Sequence, residues 1–195
     1  MTNKTPRQKE ILQVALELIS QKGIKGLTIK NLSKKIGISE PAIYRHYEHK
    51  IDILVAILDH FKENTESLFH FEAKKDITAI EKIEQVFKQH FSTFAETPYL
   101  VSVIFAEELF KGEPALSKKI AEIINANNRI LESLVNEGQN KGEIRKDIET
   151  SHLTLIIMGS LRLFIKKWQF SNYAFDVKKE GYKLIESIKC IIKNQ

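Results

Sequence analysis

Apolar residues recur every three or four positions along almost the whole chain, a period that is typical of amphipathic helices. No segment shows the sustained alternation of apolar and polar residues that favours a half-buried strand. Glycine and proline are scarce, with eight and four residues among 195, and most of them lie between the periodic segments, where they end helices. The sequence therefore predicts an all-α protein of about nine helices, long enough to bury a core without disulfides.

Cysteine usage and hydropathy exclude several classes of protein. The single cysteine, Cys190, excludes an internal disulfide and a cysteine-based zinc site, and it suits a reducing, cytoplasmic location. The first twenty residues are charged throughout and lack the unbroken apolar core of a signal peptide. The longest apolar stretch, residues 153–165, contains Gly159, Ser160 and Arg162 and is too short to span a bilayer. We therefore expect no membrane association.

Basic charge is concentrated at one end of the chain. The net charge is +5, yet residues 1–50 alone hold ten lysines and arginines against four acidic residues, and the remainder is nearly neutral. All eleven phenylalanines lie between Phe61 and Phe175, so aromatic residues are distributed in the opposite way. Two units with different roles are expected. The basic unit favours a polyanionic partner such as nucleic acid, although a solvated face of a lysine-rich protein is the alternative.

Residues 27–50 carry the most specific pattern in the chain. Two short helical segments, each with a capping residue (Thr28 and Ser39), are joined by Gly37-Ile38, which predicts a helix-turn-helix rather than an ordinary helical hairpin. The second helix of this motif enters the major groove of DNA, and hydroxyl and cationic residues at helix N-termini favour phosphate. The candidate DNA contacts are Thr28, Lys30, Ser39, Glu40, Pro41, Ala42, Tyr44, Arg45, His46, Tyr47 and Lys50.

The same segment resembles the tetracycline-repressor (TetR) family of bacterial transcriptional regulators. The resemblance extends over about residues 5–58. It rests on Leu27-Thr28, Leu32, Ile36-Gly37-Ile38-Ser39, Ala42-Ile43-Tyr44-Arg45-His46-Tyr47 and Lys50. It implies an all-helical homodimer that binds a double-stranded DNA operator and is released by a small ligand. It also implies that Thr28 and Lys50 hold phosphates while Ser39, Ala42, Tyr44, Arg45 and Tyr47 approach the groove.

One departure from the family pattern lies at the start of the recognition helix. Glu40-Pro41 replaces the commoner pair of a basic residue and glycine. Glu40 can accept a hydrogen bond from cytosine N4 or repel a phosphate. It also resembles the nucleoid-occlusion branch of the family, whose members respond to DNA and a division protein, so control by a protein partner is an alternative to control by a small ligand.

The domain organisation follows from these observations. Residues 1–50 are expected to form a three-helix DNA-binding domain, and residues 51–195 a helical domain for ligand binding and dimerisation, with the helix from Lys50 shared by both. Helices 4 to 7 are expected over about residues 50–71, 76–97, 98–110 and 114–141. They are rich in aromatic residues, which form either a solid core or an apolar pocket. The pocket candidates are Phe61, Phe69, Phe87, Phe91, Phe94, Phe105, Glu108 and Trp168.

An elongated, mostly apolar effector, such as a fatty-acyl chain or a lipophilic cation, fits these residues. The regulatory region has only three arginines, Arg129, Arg145 and Arg162, which disfavours a site for a multiply charged phosphate.

The last two helices have apolar faces that are too broad for one neighbour. A four-helix bundle across a two-fold axis would cover them, and packing within one chain is the alternative. The candidate interface residues are Ile157, Leu161, Phe164, Gly181, Leu184, Ile185, Ile188 and Ile192.

No motif points to catalysis or to a bound cofactor. The six histidines lack carboxylate or cysteine partners at metal-binding spacing, and no phosphate loop or nucleophile motif is present. We therefore expect neither a metal nor a cofactor, and no enzymatic activity. An all-helical enzyme and a protein-interaction adaptor are the remaining alternatives, and the adaptor would not need a basic N-terminal face.

Overall fold

The computed structural model describes residues 4–106 and 112–194, without the side chains of residues 72 and 73. Within these ranges the chain forms nine α-helices, a short 3-10 turn at Ile24–Gly26 and no β-strand, which confirms the predicted all-α fold. The helices are α1 (Pro6–Lys22), α2 (Ile29–Ile36), α3 (Glu40–Tyr44), α4 (Lys50–Ala73), α5 (Ala79–Glu96), α6 (Pro98–Ile104), α7 (Pro114–Lys141), α8 (Thr150–Phe170) and α9 (Val177–Ile192).

Several helices begin at a residue whose side chain caps them. Thr5 and Gln8 form the predicted capping box at the start of α1, because each side chain bonds the backbone of the other residue. The Thr28 hydroxyl accepts from the Asn31 N–H at the start of α2. The helix expected from about Asp76 begins instead at Ala79, after a capping box formed by Thr78 and Glu81. The helix expected over residues 98–110 is described as far as Ile104, and residues 107–111 lie outside the described part.

The first compact unit comprises residues 1–63 and 98–122. Its core contains Ile11 and Ala15 of α1, Leu32 of α2 and Ile53 of α4, none of which has exposed surface. Both α2 and α6 pack against α1. The N-terminal helices therefore share their core with later parts of the chain, whereas the functional boundary at residue 50 stays a prediction.

The second compact unit comprises residues 64–97 and 123–195. Its main contact is between α5 and α9, at a point where a Cβ on Gly181 would lie 2.6 Å from the Phe91 ring. Ion pairs also connect α5 to α7 and to α9. Lys82, which is 4% exposed, lies 2.9 Å from Glu137 of α7, and Lys189 of α9 lies 2.8 Å from Glu84.

Candidate nucleic-acid interface and regulatory unit

The turn between α2 and α3 reverses the chain sharply. Gly37 ends α2 in the left-handed region, at φ 79°, where a residue with a Cβ is strained. The N–H groups of Gly37 and Ile38 donate to the Ser33 carbonyl oxygen at 2.9 and 3.1 Å. Leu32 of α2 and Ile43 of α3 have no exposed surface, and the two helices pack together. The second helix of the motif is therefore fixed by its buried side while its other side faces solvent.

The outward side of α3 carries residues suited to DNA. Tyr44 is 48% exposed, and Pro41 and Arg45 are also exposed. Ser39 is exposed, and its hydroxyl makes no capping bond to the helix, so it can bind a phosphate. The remaining candidates on this segment, Glu40, Ala42 and His46, are half-buried.

Two further helix N-termini in the same unit carry predicted phosphate contacts. The Thr28 hydroxyl oxygen accepts from the Asn31 N–H at 3.1 Å, which leaves its hydrogen to donate to an anion. Lys50 is the first residue of α4 and is exposed, as is Lys30 in the first turn of α2. Backbone N–H groups at such positions favour negative charge.

Ion pairing separates the basic residues of this unit into two groups. Arg7 is paired with Glu10 at 2.5 Å, and Lys35 with Glu17 at 3.0 Å, which partly neutralises both. Within residues 4–106 and 112–194, the charges of Lys30, Arg45 and Lys50 have no ion-pair partner. The predicted DNA-contacting cations are therefore free to bind phosphate.

Tyr47 does not fit its predicted role. The side chain is 8% exposed and belongs to the core, and burial raises the pKa of its phenol above the ordinary value. The residue lies after α3, where the N–H of Tyr47 donates to the Ile43 carbonyl and the chain turns back toward the core. Its ring therefore cannot stack on a sugar, and we correct its assignment from a DNA contact to a support of α3.

Three of the predicted pocket residues surround a histidine. The rings of Phe69, Phe87 and Phe94 lie 6.1, 6.3 and 6.2 Å from the His90 ring, and all three are buried. His90 Nδ1 lies 2.9 Å from the Val86 carbonyl oxygen; because a carbonyl only accepts, Nδ1 carries the hydrogen. Burial lowers the pKa of His90 below its ordinary value, so the ring is held neutral.

His90 was not among the predicted site residues. Its position, three residues after Phe87 and four before Phe94, places it on the same helical face as those phenylalanines. That spacing is the signal that identifies it.

Other predicted pocket residues pack elsewhere. Phe91 is 1% exposed and meets Phe164 of α8 edge-on, 5.5 Å between ring centroids, so it is a core residue of the second unit. Trp168 is buried, and its indole N–H donates to the Phe175 carbonyl at 2.8 Å, which secures the turn between α8 and α9. Phe61 and Phe105 belong to the first unit. Glu108 lies outside the described residues.

A polar groove that the sequence analysis did not predict lies between α7 and the start of α8. It has a volume of about 500 Å³. Gln139 forms part of its wall and donates to the Arg145 and Ile148 carbonyls at 2.8 and 2.9 Å, which ties down the intervening loop. The other lining residues are Glu132, Asn136, Asn140, Lys146, Ile148, Glu149, Thr150 and Ser151.

The predicted dimer residues lie mostly inside their own chain. Their exposed fractions are 0% for Ile157, 2% for Ile185, 5% for Ile188 and 1% for Ile192. Leu161 and Gly181 are also buried, and Leu184 and Phe164 are half-buried. The physical reason is that α5 packs against α9 and covers the apolar face expected to need a partner. This corrects the residues assigned to the interface.

The apolar surface that remains exposed on α8 follows a different stripe. Leu155, Leu163 and Phe170 are 68%, 71% and 80% exposed, and Ile156 is 44% exposed. Gly159 lies in the same stripe, where a Cβ would meet no atom of its own chain. Apolar surface of this kind marks an interaction site. We call these five residues the α8 stripe.

Comparison with known proteins identifies the family. Residues 11–57 match the model described as bacterial regulatory proteins, tetR family, and residues 52–190 match that of the YsiA-like protein, C-terminal region. The chain belongs to the TetR family. The observed helix-turn-helix and the long helical region after it are the two matched parts, so the predicted resemblance is confirmed.

Individual relatives illustrate the range of this family. The chain is 26% identical to the fatty acid metabolism regulator protein of Bacillus subtilis (strain 168), covering all of both chains. It is 24% identical to the nucleoid occlusion factor SlmA of Vibrio cholerae, covering 84% of this chain and 86% of the relative. The crystal structure of the regulator FadR from Bacillus subtilis in complex with stearoyl-CoA superimposes with a TM-score of 0.79 at 24% identity, covering 92% of this chain and 96% of that one.

Within the described residues of this TetR-family chain, no helix is both long enough and apolar enough to cross a membrane. The same residues contain no group of three or more histidine, cysteine, aspartate or glutamate side chains arranged to hold a metal ion.

Proposed function

We propose that this TetR-family regulator is a dimeric repressor that binds a palindromic operator through α3 and is released by a fatty-acyl effector. The observation that carries the DNA-binding part is the arrangement of free groups around α3. Exposed Tyr44 and Arg45 are accompanied in the same unit by Lys30 and Lys50, two exposed cations with no ion-pair partner among the described residues. This set combines groups for reading bases with groups for holding phosphates.

Dimerisation is supported by the α8 stripe. A two-fold operator needs two recognition helices, and half-sites about one helical turn apart are expected. An exposed row of large apolar side chains interrupted by Gly159 suits close packing of α8 against a second copy of itself. The two-fold axis would then relate the two copies of α3.

The DNA-binding part is tested with duplexes selected by the purified protein from a randomised pool. Lys50→Ala is expected to weaken binding to every duplex and to lower the slope of log affinity against log salt by about one, because one phosphate contact is lost. Arg45→Ala is expected to change which palindromes are selected. Lys179→Ala, which removes an exposed cation from α9, is the control and should leave the salt slope unchanged. An unchanged slope for Lys50→Ala would remove Lys50 from the phosphate contacts.

The effector part is supported by the phenylalanine cluster and by the relatives. Phe69, Phe87 and Phe94 around a neutral His90 offer an apolar environment with one polar group. The similarity to a fatty acid metabolism regulator and to a stearoyl-CoA complex favours an acyl chain over a lipophilic cation. To change the dimer from mostly bound to mostly released, the effector must prefer the released state by about 5 kcal/mol.

Operator release by four compounds tests the effector. Stearoyl-CoA is expected to release DNA, and free CoA is not, because the apolar chain supplies the binding free energy. Stearate shows whether the acyl chain alone suffices, and tetraphenylphosphonium represents the lipophilic cations. If free CoA releases the operator as well as stearoyl-CoA does, the apolar-pocket interpretation is wrong.

A second candidate is control by a protein partner, as in nucleoid occlusion. Glu40 at the start of α3 and the similarity to SlmA over most of the chain favour it. It predicts that no small molecule in the panel releases DNA and that a protein changes the binding instead.

A further inference from the structure

Four charged residues join α4 to the beginning of α7 within the first unit. Lys119 Nζ lies 2.8 Å from Asp59 Oδ1 and 2.7 Å from Glu122 Oε2, and Lys62 Nζ lies 3.8 Å from the same Glu122 oxygen. The hydrogen bond that Lys119 donates to Asp59 raises the pKa of Lys119, and the one that it donates to Glu122 lowers the pKa of Glu122. Lys119 and Glu122 are therefore both charged at neutral pH.

The order of the charges makes this contact specific for one register. Asp59 and Lys62 are three residues apart on α4, and Lys119 and Glu122 are three residues apart on α7, so each helix presents one negative and one positive group on one face. In the observed register each charge faces its opposite. A shift of one helical turn in either direction would bring Glu122 to Asp59 or Lys119 to Lys62, and like charges would face each other.

α4 follows directly after the helix-turn-helix, and α7 meets it at these ion pairs. α4 begins at Lys50, six residues after α3 ends, and Asp59 lies about 13 Å further along the same helix. α7 is continuous from Pro114 to Lys141, and its residues up to Glu122 belong to the first unit while those from Ile123 belong to the second. A displacement of the beginning of α7 would therefore change its ion pairs with α4.

We infer that Asp59, Lys62, Lys119 and Glu122 form a latch that holds α4, and with it α3, in the position required for the operator spacing. The inference rests on the proposed DNA-binding function. These are positioning residues, since none of them belongs to the predicted DNA contacts. The side chains of Lys119, Glu122 and Asp59 are 19%, 35% and 38% exposed, so the latch is partly screened by solvent and can be opened without unfolding the chain.

The test measures affinity of the full-length protein for two duplexes. One is the tightest palindrome that the wild-type protein selects from a randomised pool, and the other is the same palindrome with its half-sites moved apart by one base pair. Lys119→Met is expected to weaken binding to the first duplex by about two- to fivefold, the size expected for a partly exposed ion-pair network. It is also expected to reduce the preference for the first duplex over the second, because α4 becomes freer to adjust.

Four further variants complete the experiment. Lys118→Met removes the same charge from the neighbouring exposed position and is expected to keep the spacing preference of the wild-type protein. Lys119→Arg keeps the charge and is expected to keep that preference too. Asp59→Asn removes the α4 partner of the Asp59–Lys119 pair. The double variant Asp59→Asn/Lys119→Met is expected to lose no more spacing preference than either single variant, because both changes break the same pair.

The outcomes separate the two proposals. If Lys119→Met and Asp59→Asn lower the melting temperature but keep the wild-type spacing preference, the contact is merely structural and the latch is overturned. If Lys118→Met relaxes the spacing preference as much as Lys119→Met does, the effect is one of net charge and the latch is also overturned. If the wild-type protein selects no duplex at all, the proposed function itself fails.

Discussion

Close packing at single residues distinguishes core positions from candidate pocket positions. Phe91 was considered a pocket residue, yet its ring fills the space left by the missing side chain of Gly181 and also contacts Phe164. A position of this kind has no room for a ligand. His90, one residue earlier, is half-buried and surrounded by three other phenylalanines, so it is the better marker of an effector site.

Gly181→Ala is expected to destabilise the protein by about 1–3 kcal/mol, because the new methyl group would lie 2.6 Å from Phe91 carbons and force the ring to move. Urea denaturation measures the change. Phe91→Leu combined with Gly181→Ala is the control, since the smaller side chain leaves room for the methyl group. The double variant should then lose less stability than the two single changes added together. Simple additivity would contradict the close contact.

His90 makes stability depend on pH in a defined direction. Burial lowers its pKa in the folded protein, so between that pKa and the ordinary value of 6.5 the unfolded chain binds a proton that the folded chain does not. The free energy of unfolding should therefore fall as the pH drops below about 6.5 and become independent of this group below the folded pKa.

Melting temperatures between pH 7.5 and 5.5 test this dependence. His90→Phe is expected to reduce the fall in melting temperature at low pH but not to abolish it. The pKa of His60 is also lowered, first by burial and then by Lys4. His152→Gln, at an exposed position on α8, is the control. An unaltered pH dependence in His90→Phe would show that His90 is not held neutral.

At the scale of helices, α5 is held from several sides. Its N-terminal amide, that of Ala79, donates to the Glu143 carboxylate at 2.5 Å, and Glu143 follows the end of α7. Lys82 bonds Glu137 of α7, and Glu84 bonds Lys189 of α9 at 2.8 Å. Hydrogen bonds from Lys189 and then Lys88 lower the pKa of Glu84, so it stays ionised. The first turns of α5 are therefore bonded to α7, to the residues that follow α7 and to α9.

Glu143→Gln is expected to lower stability by about 1 kcal/mol, because a charge at a helix N-terminus and a charge-assisted hydrogen bond are replaced by a neutral one. Chemical denaturation measures the loss, and hydrogen exchange should locate it at the first turn of α5. Glu186→Gln serves as a control, since its side chain is 63% exposed and pairs with Lys189 on the same helix. Equal effects of the two changes would contradict a special role for Glu143.

At the scale of the whole molecule, the proposed dimer depends on surface that one chain leaves uncovered. The predicted interface residues Ile157, Ile185 and Ile188 are already covered by their own chain, whereas the α8 stripe is exposed. A substitution on the stripe can therefore separate association from folding, which a substitution at a buried isoleucine cannot do.

Leu163→Arg is expected to produce monomers, because the arginine would bury a charge against a second copy at a cost of several kcal/mol. The stability of the single chain should change by less than about 0.5 kcal/mol, since Leu163 is 71% exposed. The sedimentation coefficient and the operator affinity should fall together, because the monomer is smaller and contacts only one half-site. Phe71→Arg, at a 63% exposed apolar residue of α4, is the control and should stay dimeric. A dimeric Leu163→Arg protein would place the interface elsewhere.

Local patterns were sufficient for the all-α fold and the helix-turn-helix, whereas the DNA contacts assigned to its exposed side chains stay predictions. The capping box at Thr5, the glycine at position 37 and the outward face of α3 depend on residues within four or five positions of one another, so their geometry is set by the local backbone. Family membership followed from the same segment. The amphipathic period likewise determined which face of each helix is apolar.

Only the tertiary structure decided which neighbour covers each apolar face. Phe91 and Ile188 belong to faces that the sequence marks as apolar, but they are buried by the contact between α5 and α9, which are distant in the chain, and no local period encodes that pairing. The same holds for Lys119 and Asp59, whose ion pair joins residues 60 positions apart. Helical periodicity shows that a face must be covered; long-range packing determines whether its own chain or a second copy covers it.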